Sequence, residues 1–429
     1  VASVASHVYN SIIVDIRDKE YFEKAGYKMK YDATRKTTVD AWREFRNKCS
    51  RRALVIMPVQ TGELREFAIK NNLFVLNLNK ELGDAGAGQN ISLLEEVLAW
   101  LEPNAPVYGW EQGVSEDQFV ARVSKSGHPM IPCDWSYNHS LLSLLYEKGR
   151  EQVLPRIFDP RSIDFKKKKN FVSFFLSDGD NIQWMMQDFA SRYYDVPEAE
   201  DVKMTFGLPV ATLAMMAPVQ FNNLMGLQKQ NCSLMEMLGG GYYYVDTYSQ
   251  DNNRKTNLRV AAKRLAVSMR QYQIKLLGIM AMDVKSEAAK EAYQVYVDAN
   301  DQLEGIVVLQ YSPYAGGEGE VFWVTNKAGY DIPVITVKYS LWDRIHEREG
   351  SPDFIASKLK EEAQEESFSV VCVHAWSRFE GDTYGASAAK RCAERLDDRF
   401  EAINMEELVW RLRMSRRPEQ TLDYLNKIY

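Results

Sequence analysis

Several short apolar runs in the second part of the chain end on residues of the kind that carry acid–base chemistry. "NFVSFFLSDGDN" ends on Asp178, Asp180 and Asn181, "GYYYVD" on Asp246, and "IKLLGIMAMD" on Asp283. "GIVVLQYSPYAGGEGE" runs into Tyr311 and Glu318, "IPVITVKYSLWD" into Trp342 and Asp343, and "FSVVCVHAW" into His374 and Trp376. Two carboxylates on either side of a glycosidic bond serve as acid and as base or nucleophile. Crowding them raises at least one pKa, which keeps the acid protonated near neutral pH. Asp178, Asp180, Asp246, Asp283 and Glu318 are therefore the candidate catalytic carboxylates. Sugars offer apolar C–H faces to flat rings and hydroxyls to polar groups. Trp184, Tyr242, Tyr244, Tyr311, Trp342 and Trp376, with Asn181 and His374, suit a carbohydrate substrate. Glu111, earlier in the chain, joins this set if the N-terminal part packs over the rim.

Each residue also has a plainer role. Asp178 and Asp180 flank Gly179 as in a tight turn or a helix cap. Asp283 precedes the helical stretch "KSEAAKEAYQVYV" and suits its N-cap. Glu318 sits in a glycine-rich loop, and a histidine in an apolar strand such as His374 is commonly a satisfied core residue. A second chemistry uses Asp178 and Asp180 as oxygen ligands of a divalent cation in a carbohydrate deacetylase. Against it, the five histidines form no H-x-x-x-H pair. No cofactor is required by the first chemistry. A third reading keeps the aromatic rim for binding without catalysis.

Several elements must position these residues. From residue 166 onward the apolar runs recur roughly every 30 residues, the length of one strand, one helix and two loops. Helical stretches such as "NLRVAAKRLAVSMRQYQ" and "SKLKEEAQEE" fill the gaps. The pattern predicts an α/β fold with a C-terminal (β/α)7–8 TIM-like barrel over 166–429, whose active site lies at the C-terminal ends of its strands. An open doubly wound sheet is the alternative. Residues 1–165 predict a smaller α/β accessory domain with subsegments near 1–103 and 104–165. Its strand candidates are "ALVIMPVQ", "LFVLNLN", "APVYGWEQG" and "HPMIPCDW", and "VYNSIIVDIRD" reads as a further strand of a domain whose start is missing.

The 429 residues carry a formal net charge of −6, which argues against a nucleic-acid partner. No apolar run is long enough to span a membrane. The five cysteines form no C-x-x-C pair and read as small buried hydrophobes. Oligomeric state is not encoded in any of these features.

The stretch Gly239-Gly240-Gly241-Tyr242-Tyr243-Tyr244 resembles the motif that names the GxGYxYP family of putative glycoside hydrolases, with Val245 where the motif has Pro. "SDGDN" at Ser177–Asn181, followed by Gln183 and Trp184, and "VHAWS" at Val373–Ser377 are similar to that family's patterns. The segment from Gly109 to Leu142 resembles the family's N-terminal accessory segments. The resemblance implies a C-terminal (β/α) barrel, a role in carbohydrate processing and a secreted or periplasmic location.

Overall fold

The protein is seen in a computed structural model that describes residues 1–57, 62–77, 91–110, 115–146, 153–177, 181–312, 314–345 and 349–429. Two sheets organise it. The smaller is parallel and built from β1 (Ser50–Ile56), β2 (Leu73–Leu76), β3 (Val107–Gly109) and β4 (Met130–Ile131), in the order β2-β1-β3-β4. The helices Thr38–Phe45, Arg65–Lys70, Ile91–Trp100 and Glu116–Lys125 belong to the same unit. The opening stretch read as a strand is none: it takes in the end of the helix Ala2–Tyr9, an irregular segment over 11–15 and the 3-10 turn Ile16–Asp18. Thr37 begins the next helix with a capping box, its hydroxyl accepting from Asp40 N while Asp40 accepts from Thr37 N.

The larger sheet is mixed and strongly curled. Its parallel strands are β5 (Asn170–Leu176), β6 (Thr205–Leu208), β7 (Ser233–Met237), β8 (Leu276–Ala281), β9 (Gly305–Gln310), β11 (Asp331–Thr336), β12 (Tyr339–Leu341) and β13 (Ser367–Val373). β10 (Val321–Thr325) forms an antiparallel hairpin with β11, and β14 (Phe400–Ala402) pairs with the start of β5. β5 and β8 are buried along their whole length, the mark of a parallel sheet covered on both faces. One segment pairs with both ends of the curl. Val337 N donates to Val308 O in β9, and Lys338 N donates to Val370 O in β13.

The third strand lies earlier than the alternation of Tyr and Val suggested. β7 is "SLMEM", and the "GYYYVD" stretch that follows makes only isolated bridges, Met130 with Tyr242 and Tyr244 with Met280. This stretch is a seam between the two sheets. Tyr242 and Met130 exchange backbone hydrogen bonds, and Val245 N donates to Met280 O on the other side. Tyr244 N donates to Ser124 Oγ at 3.1 Å, Ser249 N to Ser124 O at 2.7 Å, and the Tyr248 hydroxyl to Asn104 Oδ1 at 2.7 Å.

The glycines make the seam possible. Gly241 has φ +117°, and a Cβ there would lie 2.6 Å from Pro129 Cβ and 2.9 Å from Met130 O. A Cβ at Gly239 would lie 1.9 Å from Glu236 Oε1. Glu236, on β7, is fully buried, and its Oε2 accepts from Ala211 N at 2.9 Å. Burial pushes its carboxyl up to about 8. The five cysteines are free thiols, four of them buried.

Two outcomes test this arrangement. Gly240 has φ +82° but nothing within 4 Å of a Cβ, so Gly240→Ala carries only the left-handed backbone cost of about 1–2 kcal/mol. Gly241→Ala adds the clash with Pro129 and Met130, and its loss in urea denaturation is expected to exceed that of Gly240→Ala clearly; equal losses would show that the close approach is unimportant. For Glu236, the folded chain keeps its proton up to about pH 8 while the ordinary value is 4.5. Between these limits the unfolded chain binds fewer protons, so stability falls as pH rises. Glu236→Gln removes this dependence and is expected to gain on the parent chain from pH 5 to 8, by at most about 1.4 kcal/mol per pH unit. Parallel stability–pH curves for the two proteins would contradict a protonated carboxyl at this position.

Candidate active site

The C-terminal ends of the two sheets face a common cleft of about 380 Å³. The curled sheet contributes Asn181 and Gln183 after β5, Tyr311 and Tyr314 after β9, Trp342, Asp343 and Arg344 after β12, and His374 and Trp376 after β13. The smaller sheet contributes Trp110 after β3, Pro132, Asp134 and Trp135 after β4, and Glu116 from the first turn of its helix. Ligand sites in parallel sheets lie beyond the carboxyl ends of the strands, where amides and side chains are free of the ladder.

One wall is a stack of flat rings. Trp342 lies 4.6 Å from His374 at 16° and 5.0 Å from Tyr314 at 29°. Trp376, 40% exposed, rests on the buried Trp184 with ring centres 4.9 Å apart. Ser377 holds this wall in register. Its hydroxyl lies 3.0 Å from His374 Nδ1 and 3.3 Å from Asp343 Oδ1, and accepts from Asp343 N at 3.1 Å. Asp343 Oδ2 accepts from Arg378 N at 3.1 Å. A serine nucleophile needs the imidazole between its hydroxyl and the carboxylate. Here a buried hydroxyl stands between imidazole and carboxylate, so the group braces the wall.

The opposite wall carries a carboxyl of raised pKa. Asp134 is half-buried, and its Oδ1 accepts from Gln183 Nε2 at 3.2 Å across the two sheets. Burial raises its carboxyl pKa, and the Glu63 charge adds to this, against the lowering hydrogen bonds from its own backbone and Gln183. A raised carboxylic acid in a cleft is the form that a general acid requires. Glu116 Oε1 accepts from the Tyr242 hydroxyl at 2.9 Å. Two buried atoms of this site, Gln183 Oε1 and Trp342 Nε1, have no hydrogen-bond partner among the described residues. One is an acceptor and the other a donor, and leaving either unpaired is costly.

Of the residues singled out from the sequence, Asn181, Tyr311, Trp342, Asp343, His374 and Trp376 line this cleft, and Trp184 supports it from below. Tyr242 and Tyr244 are buried in the seam. Asp246 accepts from Met282 N at 3.1 Å and Asp283 N at 2.9 Å, which fixes the turn after β8. Asp283 accepts from Lys285 N, and the cap of the following helix is Ser286, whose hydroxyl accepts from Ala289 N. Glu318 and Glu320 pair with Lys285 at 3.6 and 3.1 Å. These last carboxylates lie away from the cleft lining. Asp178, Asp180 and Glu111 lie outside the described residues. Among the described residues no three His, Cys, Asp or Glu side chains gather as a metal site.

Trp110, Glu116, Asp134 and Trp135 were not among the sequence candidates. The signal existed, because Trp110 and the Asp134–Trp135 pair follow strands of the N-terminal sheet just as the barrel candidates follow theirs.

No curated protein matches the chain in sequence. A putative hydrolase from Bacteroides thetaiotaomicron VPI-5482, known as a crystal structure, is similar at 17% identity with a TM-score of 0.79, over 97% of this chain and 77% of that one. That likeness concerns the fold. Residues 52–144 match the GxGYxYP third domain. Residues 168–413, more than half of the chain, match the GxGYxYP putative glycoside hydrolase C-terminal domain, and the chain therefore belongs to the GxGYxYP family.

Proposed function

We propose that the chain hydrolyses a glycosidic bond in the cleft between its two sheets. The observation that carries this reading is the lining itself. Trp110, Trp135, Trp342 and Trp376 surround the carboxylates of Glu116, Asp134 and Asp343 in one cleft. Flat apolar rings beside carboxylates suit a ligand that is apolar on its faces and hydroxylated at its edges.

Asp134 is the general acid in this proposal, since its burial favours the protonated form. It gives its proton to the leaving oxygen as the glycosidic bond breaks. The second carboxylate, acting on water or on the anomeric carbon, comes from Glu116 or from Asp178 and Asp180, which precede the cleft residue Asn181 in the chain. Asp343 is the weaker choice, because both of its oxygens already accept hydrogen bonds from the Ser377–Arg378 turn. We read the curled sheet as a seven-stranded (β/α) barrel in which β11 and β12 form one strand, supported by the pairing of Val337 with β9 and Lys338 with β13. A secreted or periplasmic location fits a glycan substrate. No described helix is long and apolar enough to cross a membrane.

A broad glycan panel tests the reading. Sugar release is expected from the parent chain, indifferent to chelator. Asp134→Asn is expected to lower kcat by about 10²–10⁴ with little change in KM. The proton donor is lost as pH rises through the Asp134 pKa, so the parent's activity falls on the alkaline side. The same variant should erase that limb. Unchanged turnover in Asp134→Asn would remove it from the mechanism. Acetate release, or loss of activity on chelation, would replace glycoside hydrolysis with metal-dependent deacetylation.

A further inference from the structure

Trp135 stands at the boundary of two hollows. It lines the cleft described above, and it also lines a second groove of about 340 Å³ together with Tyr137, Met186, Gln187, Val219 and Gln220. Gln183 is likewise common to both, so the groove continues the cleft. The indole is 56% exposed, and among the described residues no aromatic ring packs against it.

This exposure is held in place by the local chain. Trp135 rides on a turn in which Ser136 N donates to Cys133 O. The Ser136 hydroxyl donates to Cys133 O at 2.9 Å and lies 2.6 Å from His139 Nε2. Beyond the indole, the groove combines apolar side chains with the amides of Gln187 and Gln220, and Gln220 is fixed by donating to Met185 O at 2.7 Å. Tyr137 is also exposed, with its hydroxyl anchored on Glu63 at 3.0 Å. A rigid exposed ring with amides alongside is a stacking platform for a ligand with apolar faces and polar edges.

We infer that the groove beyond Trp135 is a second carbohydrate subsite, and that the substrate is a linear glycan longer than a disaccharide, running from the cleft across the indole. The inference rests on the glycoside reading of the cleft. It also gives that reading a substrate class, because a site that ends at Trp135 has no use for the adjoining groove.

The test is binding by calorimetry to cello-, xylo-, galacturono- and N-acetylchito-oligosaccharides of two to six units. At least one series should bind the parent chain with affinity that rises with length beyond the dimer. In Trp135→Ala the ratio of hexamer to dimer affinity is expected to fall roughly tenfold, the scale of one lost aromatic contact. Trp135→Phe, which keeps a ring, should retain most of the ratio, and Gln187→Ala in the groove should lower it. Dimer binding with a ratio near one in the parent chain, or a ratio that neither alanine variant changes, overturns the second subsite and leaves the cleft reading standing. Failure of every series to bind the parent chain overturns both.

Discussion

The backbone exchange between Met130 and Tyr242 is the contact on which the cleft depends. It ties β4 to the stretch after β7, so the carboxyl ends of the parallel strands in the two sheets face each other. The exchange demands that two backbones come close at a residue with φ +117°, where a Cβ would strike Pro129. Only glycine meets both conditions without strain. The Gly239–Tyr244 motif is thus a structural device first. Its tyrosines fill the seam. The Tyr242 hydroxyl reaches Glu116, and the Tyr243 hydroxyl meets that of Tyr296 within the core.

That seam also explains why a carboxyl such as Glu236 can be tolerated in the interior. It is covered by the backbone at Gly239 and caps the start of the helix Val210–Met216 through Ala211 N. Buried away from water, it is held neutral, and a neutral carboxyl is much cheaper to bury than a charge. Gly240 N donates to Thr212 Oγ1 at 2.9 Å beside it, so the glycine turn and the helix start are one hydrogen-bonded unit. The polar groups here stabilise a turn that an apolar core alone would leave undefined.

Much of the curled sheet was legible because strands buried on both faces read as continuous apolar runs: "NFVSFFL", "LLGIMA" and "SFSVVCV" lie where their composition placed them. Their strand ends therefore pointed to Asn181, Tyr311, Trp342, His374 and Trp376. "GYYYVD" misled because its side chains alternate like those of a strand while its backbone is shared between two partners and pairs at single positions. The hairpin strand "VFWVT" was missed, since only its pairing with β11, and no run of buried residues, distinguishes it. The roles of Asp246 and Asp283 were hidden for a different reason. A carboxylate at a strand end looks the same in sequence whether it meets substrate or accepts from backbone amides in the next turn.

The contribution of the N-terminal unit was the least legible part, and the reason lies in the site's electrostatics. Periodicity says where a strand ends but not which other ends it faces. Asp134 owes part of its environment to Gln183, a residue 49 positions away on the other sheet. Remove the seam and Asp134 becomes an ordinary loop carboxylate in water, with no burial to raise its pKa. The raised pKa of Asp134 is therefore a property of the docked pair of sheets. The motif for which the family is named is thereby tied to the cleft through its backbone. Its glycines touch no cleft residue's ring, yet they hold together the two surfaces whose approach withdraws Asp134 from solvent.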